Sequence, residues 1–126
     1  MAYANLNKES VTVDGIDSIV IMRDLADIPG GVTLDVSDVD SSVKVLKAGH
    51  IVYKTSAGVF KPLGITTNAY NSLSEGDSYV GVLKHSILVS QPQAAILTIG
   101  QVNAAASPYP VTSTIKSGLP RIEFMY

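Results

Sequence analysis

Cysteine is absent from this 126-residue chain, which excludes a disulfide framework, a thiolate metal site and a thiol nucleophile. Tryptophan is absent too, and aromatics make up only 6% of the residues. That leaves few of the exposed rings on which a sugar-binding surface is usually built. Charged residues amount to 16% against 46% hydrophobic, well under the usual charged fraction. Disorder is thereby excluded, and the expectation is a folded chain much of whose surface is covered and which takes partners. No stretch approaches the roughly 18 consecutive apolar residues of a membrane span. The opening MAYANLNKESVTVDGIDSIV lacks the basic start and apolar block of a signal peptide, so synthesis in and retention by the cytosol is expected.

What the chain does contain is β pattern. Tyr79 to Asn103 holds two apolar runs separated by Ser90-Gln91-Pro92-Gln93, each of strand length, and reads as a central strand pair. Ile19 to Met22 reads as a short buried strand, Val32 to Val36 as an alternating one, and Pro29-Gly30-Gly31 as the reversal between them. His50 to Lys54 divides into an Ile51/Tyr53 face and a His50/Val52/Lys54 face. Ser56-Ala57-Gly58 then turns the chain into Val59 to Leu63, a hairpin with glycine where positive φ is needed. Residues 66–78 form the longest polar loop. Val111 to Lys116 reads as one short helix near 110–117, and Ile122/Phe124/Tyr126 alternate in a closing strand. Residues 1–10 are small and polar without periodicity, as in an arm. The fold class that follows is mainly β, a compact sandwich or barrel with one short helix and an extended N-terminal arm. The domain layout is an arm over 1–10 and a single β-rich domain over 11–126.

Net charge is −2, unevenly spread. Residues 1–43 carry eight acids against Lys8 and Arg23, and the remainder carries seven bases against three acids. Scattered solvated charge explains this most simply, although such asymmetry also suits head-to-tail packing of copies. Lys44, Lys47, Lys54 and Lys61 read as guards of exposed strand edges rather than as phosphate contacts, since no arginine lies among them.

Candidate chemistry is sparse. An EF-hand register starting at Asp38 puts Val43 at the turn glycine and Gly49 at the bidentate glutamate, so the motif fails twice. Gly76-Asp77-Ser78-Tyr79 opens like a hydrolase nucleophile turn, but no histidine follows His85 and Gly81 is misplaced for the G-x-S-x-G elbow. His50 and His85, the only histidines, read as hydrogen-bonded or half-exposed strand residues. No catalytic residue, cofactor site or metal site emerges.

Several steps in order carry a resemblance. They are Leu46-Lys47-Ala48-Gly49, the Gly58 hairpin, Gly81-Val82-Leu83, Gly100-Gln101-Val102-Asn103, the small-residue link Ala104 to Ser107, Val111 to Lys116, and Ile122-Glu123-Phe124. This succession resembles the head decoration proteins of tailed bacteriophages, the lambda head decoration protein family, over about two-thirds of the chain. The resemblance implies a β-tulip-like fold and a structural, non-enzymatic virion protein. Such a protein binds the outer surface of an expanded capsid and clamps neighbouring major capsid subunits. It implies the major capsid protein and copies of itself as partners, in a homotrimer or three-fold cluster, with neither nucleic acid nor membrane bound directly. It places the protein on the capsid exterior after synthesis in the bacterial cytoplasm. It also implies capsid contact through the arm, Met1, Ala2, Tyr3, Ala4, Asn5, Leu6 and Asn7. The other readings are a head-fibre base or tail component, and a small β-sandwich carbohydrate-binding module.

Overall fold

The computed structural model describes residues 20–28 and 31–125. The arm and the boundary at residue 10 lie outside the described residues. Strands follow one another as β1 (Ile21–Asp27), β2 (Val32–Thr33), β3 (Val45–Leu46), β4 (Ile51–Lys54), β5 (Phe60–Pro62), β6 (Ile65–Thr66) and β7 (Ala69–Tyr70). Then come β8 (Ser78–Leu83), β9 (Ile87–Leu88), β10 (Gln93–Ala94) and β11 (Ile96–Asn103). A 3-10 turn over Ala104–Ala106, a helix α1 (Ser113–Gly118) and β12 (Ile122–Met125) complete the chain.

The main sheet is organised on β11. Along one side β11 pairs with β1; on the other its first residues pair with β8 and its last four with β12. β8 continues to β4 and β4 to β5. All these pairings are antiparallel except β11 with β12. Parallel neighbours need a long crossover, and the segment from the 3-10 turn through α1 supplies it. Three small two-stranded sheets, β2 with β10, β3 with β9 and β6 with β7, surround the main one. The fold is thus mainly β and largely antiparallel, with α1 as a short helix and no closed barrel among the described residues.

Burial follows the period of two along each strand. Ile51, Val82 and Leu97 belong to one apolar cluster, and their sequence neighbours Val52, Leu83 and Ile96 to a second. Both faces of the sheet are therefore covered. Val20, Ile115, Leu119 and Ile122 close the first face, and Leu34, Leu46 and Ala94 the second. Strands buried on two faces read as continuous apolar runs rather than strict alternation, which is what Val80 to Leu83 and Ala94 to Leu97 are. Each such side chain contributes about 1.5–3 kcal/mol when fully buried.

Two glycines let the strands meet. A Cβ on Gly81 would strike the Leu97 carbonyl oxygen, and one on Gly100 the Arg23 carbonyl oxygen. Glycine on β8 and on β11 is thus a condition of the close approach on both sides of β11.

Several sequence expectations are corrected. Of the apolar run over 19–22, residue 19 lies outside the described residues, and the rest is not a buried strand: Val20 is fully buried, but β1 begins at Ile21 and is largely exposed. The Val32 to Val36 strand is limited to Val32–Thr33, after which Leu34 N–H donates to the Pro92 carbonyl. The run from Tyr79 to Val89 splits at Lys84-His85-Ser86, so β8 and β9 serve different sheets and His85 sits exposed on the bend. The loop over 66–78 opens with the β6–β7 hairpin, whose turn residues Thr67 and Asn68 have φ of 52° and 59°. Positive φ at both positions is the type I′ signature, which Asn accepts and a β-branched Thr strains against. The link over 104–107 is a 3-10 turn capped by the Asn103 side chain. The helix starts at Ser113 with Thr112 as its N-cap, two residues later than the position of Pro110 suggested.

The hairpin of β4 and β5 stands where expected, with Gly58 at φ 88°, the Thr55 N–H donating to the Val59 carbonyl and the Val59 N–H to the Thr55 hydroxyl. The two faces of β4 are also as read, Ile51 and Tyr53 toward one cluster and Val52 toward the other. Ile122 is buried and Glu123 exposed on the closing strand.

Candidate functional sites

Two places present chemistry to the outside. The first is the edge strand β1. Its pairing with β11 runs Ile21 to Val102, Arg23 to Gln101, Asp24 to Gly100, Ala26 to Ile99 and Asp27 to Leu97. The register passes over Met22 and Leu25, so each is the extra residue of a β-bulge. A bulge re-aims side chains, and these two are the exposed large apolar residues of the strand: Met22 at 43% and Leu25 at 64%. A third irregularity leaves Thr98 extra on β11, where its hydroxyl donates to the Ala26 carbonyl at 3.2 Å.

The strand is held from the side by Lys84. Its ammonium contacts Asp24 and lies 2.6 Å from Asp27. Hydrogen bonds to Asp24 and then Asp27 raise the lysine above its ordinary value. Arg23 points to solvent with no ion pair among the described residues. The edge thus offers two apolar side chains beside a free guanidinium, on backbone whose bulges interrupt regular strand addition.

The second place is a cleft of about 850 Å³ between the loop starting at Asp35, the end of β5 with the β6–β7 turn, and the link before Tyr109. His50 lies on its lining, buried to 4% exposure. Its Nε2 is 2.9 Å from the Leu63 carbonyl oxygen, an acceptor, so Nε2 carries the proton and Nδ1 is left with a lone pair. Burial holds the ring below its ordinary pKa and keeps it neutral. Tyr70 and Tyr109 stand edge-on to it, with ring centroids 5.4 and 6.0 Å away, and edge-on to each other at 5.4 Å. The Tyr70 hydroxyl accepts the Ile51 N–H at 3.3 Å, and burial pushes its pKa up. Ser107, also on the lining, carries a buried Oγ with no hydrogen-bond partner.

The aspartates of the cleft rim are occupied. Asp35 accepts the Ser37 N–H, and Asp40 accepts both the N–H and the hydroxyl of Ser42. These turn bonds hold both carboxyls below their ordinary values. Lys61 lies 2.7 Å from Asp38 and 3.6 Å from Asp35, and the Asp38 hydrogen bond is the main reason its pKa is raised. Lys61 therefore sits on an edge strand, as expected of a guard, but paired. Among the described residues no group of three His, Cys, Asp or Glu is placed to hold a metal ion.

Other sequence candidates fall to structural roles. Asp77 accepts the Ser56 N–H at 3.2 Å, which ties the Gly76-Asp77 turn to the Gly58 hairpin. Ser78 is exposed at the start of β8 opposite Lys54. His50 and His85 are not brought together: one is in the cleft, the other exposed on the bend after β8. The grouping of His50 with Tyr70, Tyr109 and Ser107 has no counterpart in the sequence reading, because no short spacing joins residues so far apart along the chain. Met22 and Leu25 were likewise hidden, since an apolar residue in a strand reads as core until a bulge turns it outward. No helix among the described residues is long and apolar enough to cross a membrane. Comparison with protein-family models, with curated proteins and with solved structures finds no match.

Proposed function

We propose that this chain is a structural, non-enzymatic virion protein that binds the outer surface of a phage capsid and stabilises the expanded head by clamping neighbouring major capsid subunits. Its partners on this reading are the major capsid protein and further copies of itself in a three-fold cluster. The observation that carries the reading is β1: a bulged edge strand that leaves Met22 and Leu25 exposed. Two apolar anchors ringed by charge suit a shallow protein partner better than they suit a substrate.

The order of elements supports the same reading. The Gly58 hairpin, the strand leading to Gly100-Gln101-Val102-Asn103, the small-residue link, the helix and the parallel closing strand follow the succession quoted for the head decoration proteins. A shell multiplies weak contacts over many copies, and a ligand that binds only the expanded lattice stabilises it by mass action. Rigid β-structure buried on both sheet faces is suited to that task.

The test is a sedimentation assay with purified chain and expanded, unexpanded and disrupted heads. Saturable binding to expanded heads alone, at a stoichiometry set by the lattice, is the expected result. Absence of binding to every capsid lattice tried removes this reading.

A further inference from the structure

The capsid reading makes no use of the cleft beside His50, yet the cleft has features that choose among ligand chemistries. Anions are disfavoured, because Asp35, Asp38 and Asp40 line it and Lys61 is already held by two of them. A bare cation is disfavoured as well. Asp35 and Asp38 are engaged by Ser37 and Lys61 and Asp40 Oδ1 by Ser42, which leaves Asp40 Oδ2 as an acceptor, and no metal-holding group is present among the described residues. A wholly apolar ligand would seal off the Asp40 carboxylate, the Lys47 ammonium and the Asn68 amide without replacing their water, which costs about 1–3 kcal/mol for each unpaired group.

What remains is a neutral molecule with hydroxyls on a rigid body that also has C–H faces. We propose that this cleft binds a saccharide. Its lining interleaves Tyr53 and Tyr109 ring surface with Asp40, Lys47 and Asn68, groups that both donate to and accept from hydroxyls. Sugar C–H faces pack on the ring surface, and the polar side chains fix the hydroxyls. The volume of about 850 Å³ lies within the range of small-molecule sites.

Two buried groups add to the argument. His50 is neutral with Nδ1 free to accept, a partner for a hydroxyl and a poor one for an ion. Ser107, also on the lining, carries a buried Oγ that has no hydrogen-bond partner. The Thr67-Asn68 turn stands at the same cleft, with Asn68 on its lining.

The full chain, 15N-labelled, is titrated with glucose, galactose, mannose, N-acetylglucosamine and their trimers up to about 100 mM, since shallow sugar sites bind in the millimolar range. Saturable amide shifts confined to Asn68, Lys47, Tyr109 and their neighbours are expected for at least one sugar. Asn68→Gly keeps the positive φ, removes the amide and should weaken binding about tenfold. Tyr109→Phe keeps the ring packing and should weaken it less. The proposal is overturned by the absence of saturable shifts with every sugar, by shifts that map outside the cleft, or by tighter binding of inorganic phosphate than of any sugar. Capsid binding is measured separately on the same variants and is expected to be unchanged, so each reading fails on its own evidence.

Discussion

β11 and β1 lie side by side in one sheet and are built in opposite ways. β11 has a neighbour on each edge and apolar cover on each face, so Ile96, Leu97 and Val102 are fully buried. β1 has one paired edge among the described residues and two bulges, and beyond Ile21 its large apolar side chains, Met22 and Leu25, are exposed. Hydrophobic residues appear in both, so composition does not separate them. What separates them is whether the backbone pairing stays in register. Continuous register with β8 and β12 buries β11, whereas skipped residues turn β1's side chains to solvent.

The hardest blow to this contrast falls on β11. Gly81→Val places branched carbon where the Leu97 carbonyl stands, and backbone cannot move aside as a flexible side chain can. Loss of at least about 3 kcal/mol, or failure to fold, is expected in urea denaturation. Leu97→Ala leaves a cavity in the first cluster and should cost about 2–5 kcal/mol. Leu25→Ala, an equal change in composition on β1, should stay within about 0.5 kcal/mol. Equal costs for the two leucines would erase the distinction.

Next comes the buried histidine, which ties interior packing to pH. Burial lowers the His50 pKa in the folded chain below its ordinary 6.5. As pH falls below 6.5 the unfolded chain takes up the proton first, so stability is full above that pH and declines beneath it. His50→Leu should flatten the slope between pH 6.5 and the folded pKa, read by thermal melts across the acid range. Tyr70 gives the mirror image, since its raised pKa means stability declines as pH climbs above the ordinary 10. An unchanged acid slope in the variant would show that His50 is not what couples the interior to protons.

A smaller effect belongs to the clamp on β1. Lys84→Met removes the contacts to Asp24 and Asp27 without emptying the site of its aliphatic stem. The pairs are solvent-facing on the carboxylate side, so global stability should change by less than about 1 kcal/mol. Amide exchange over Arg23 to Asp27 should nevertheless accelerate more than exchange on β11. Equal acceleration on both strands would mean that β1 is not an independently loosened edge.

How much of this was legible follows from range. The β4–β5 hairpin, its Gly58 turn, the faces of β4 and the short helix depend on residues within a few positions, and the sequence pattern carried them. The parallel pairing of β11 with β12 depends on an 18-residue link doubling back, which no local period records. The split of Tyr79 to Val89 falls just after Lys84, whose N–H still donates to the Ala95 carbonyl while its ammonium meets Asp24 and Asp27, a tertiary arrangement that a strand-like run does not record. Low charge content was read as a call for partners, and part of its cause is internal: small sheets and loops cover both faces of the main one. The sequence points to a hydrogen-bonded or half-exposed strand histidine at His50; it is hydrogen-bonded and buried, and it precedes the strand. Its companions Tyr70 and Tyr109 sit in segments read as loop and linker, where nothing signals convergence.

The least effect on stability should have the most to say about function. In the double variant Met22→Ser, Leu25→Ser, both replaced side chains are exposed, Leu25 the more so, and neither belongs to either cluster. Bulge positions have no paired partner on β11 to lose, so the melting temperature should move by no more than about 2 °C. If the outward side chains are anchors for a capsid, the same variant should bind expanded heads at least about tenfold more weakly, because truncating two apolar anchors removes well over the 1.4 kcal/mol that a factor of ten requires. A melting temperature that falls sharply would place Met22 and Leu25 within the folded core after all. Undiminished binding with an undisturbed fold would move the contact surface away from β1, and with it the observation on which the proposed function stands.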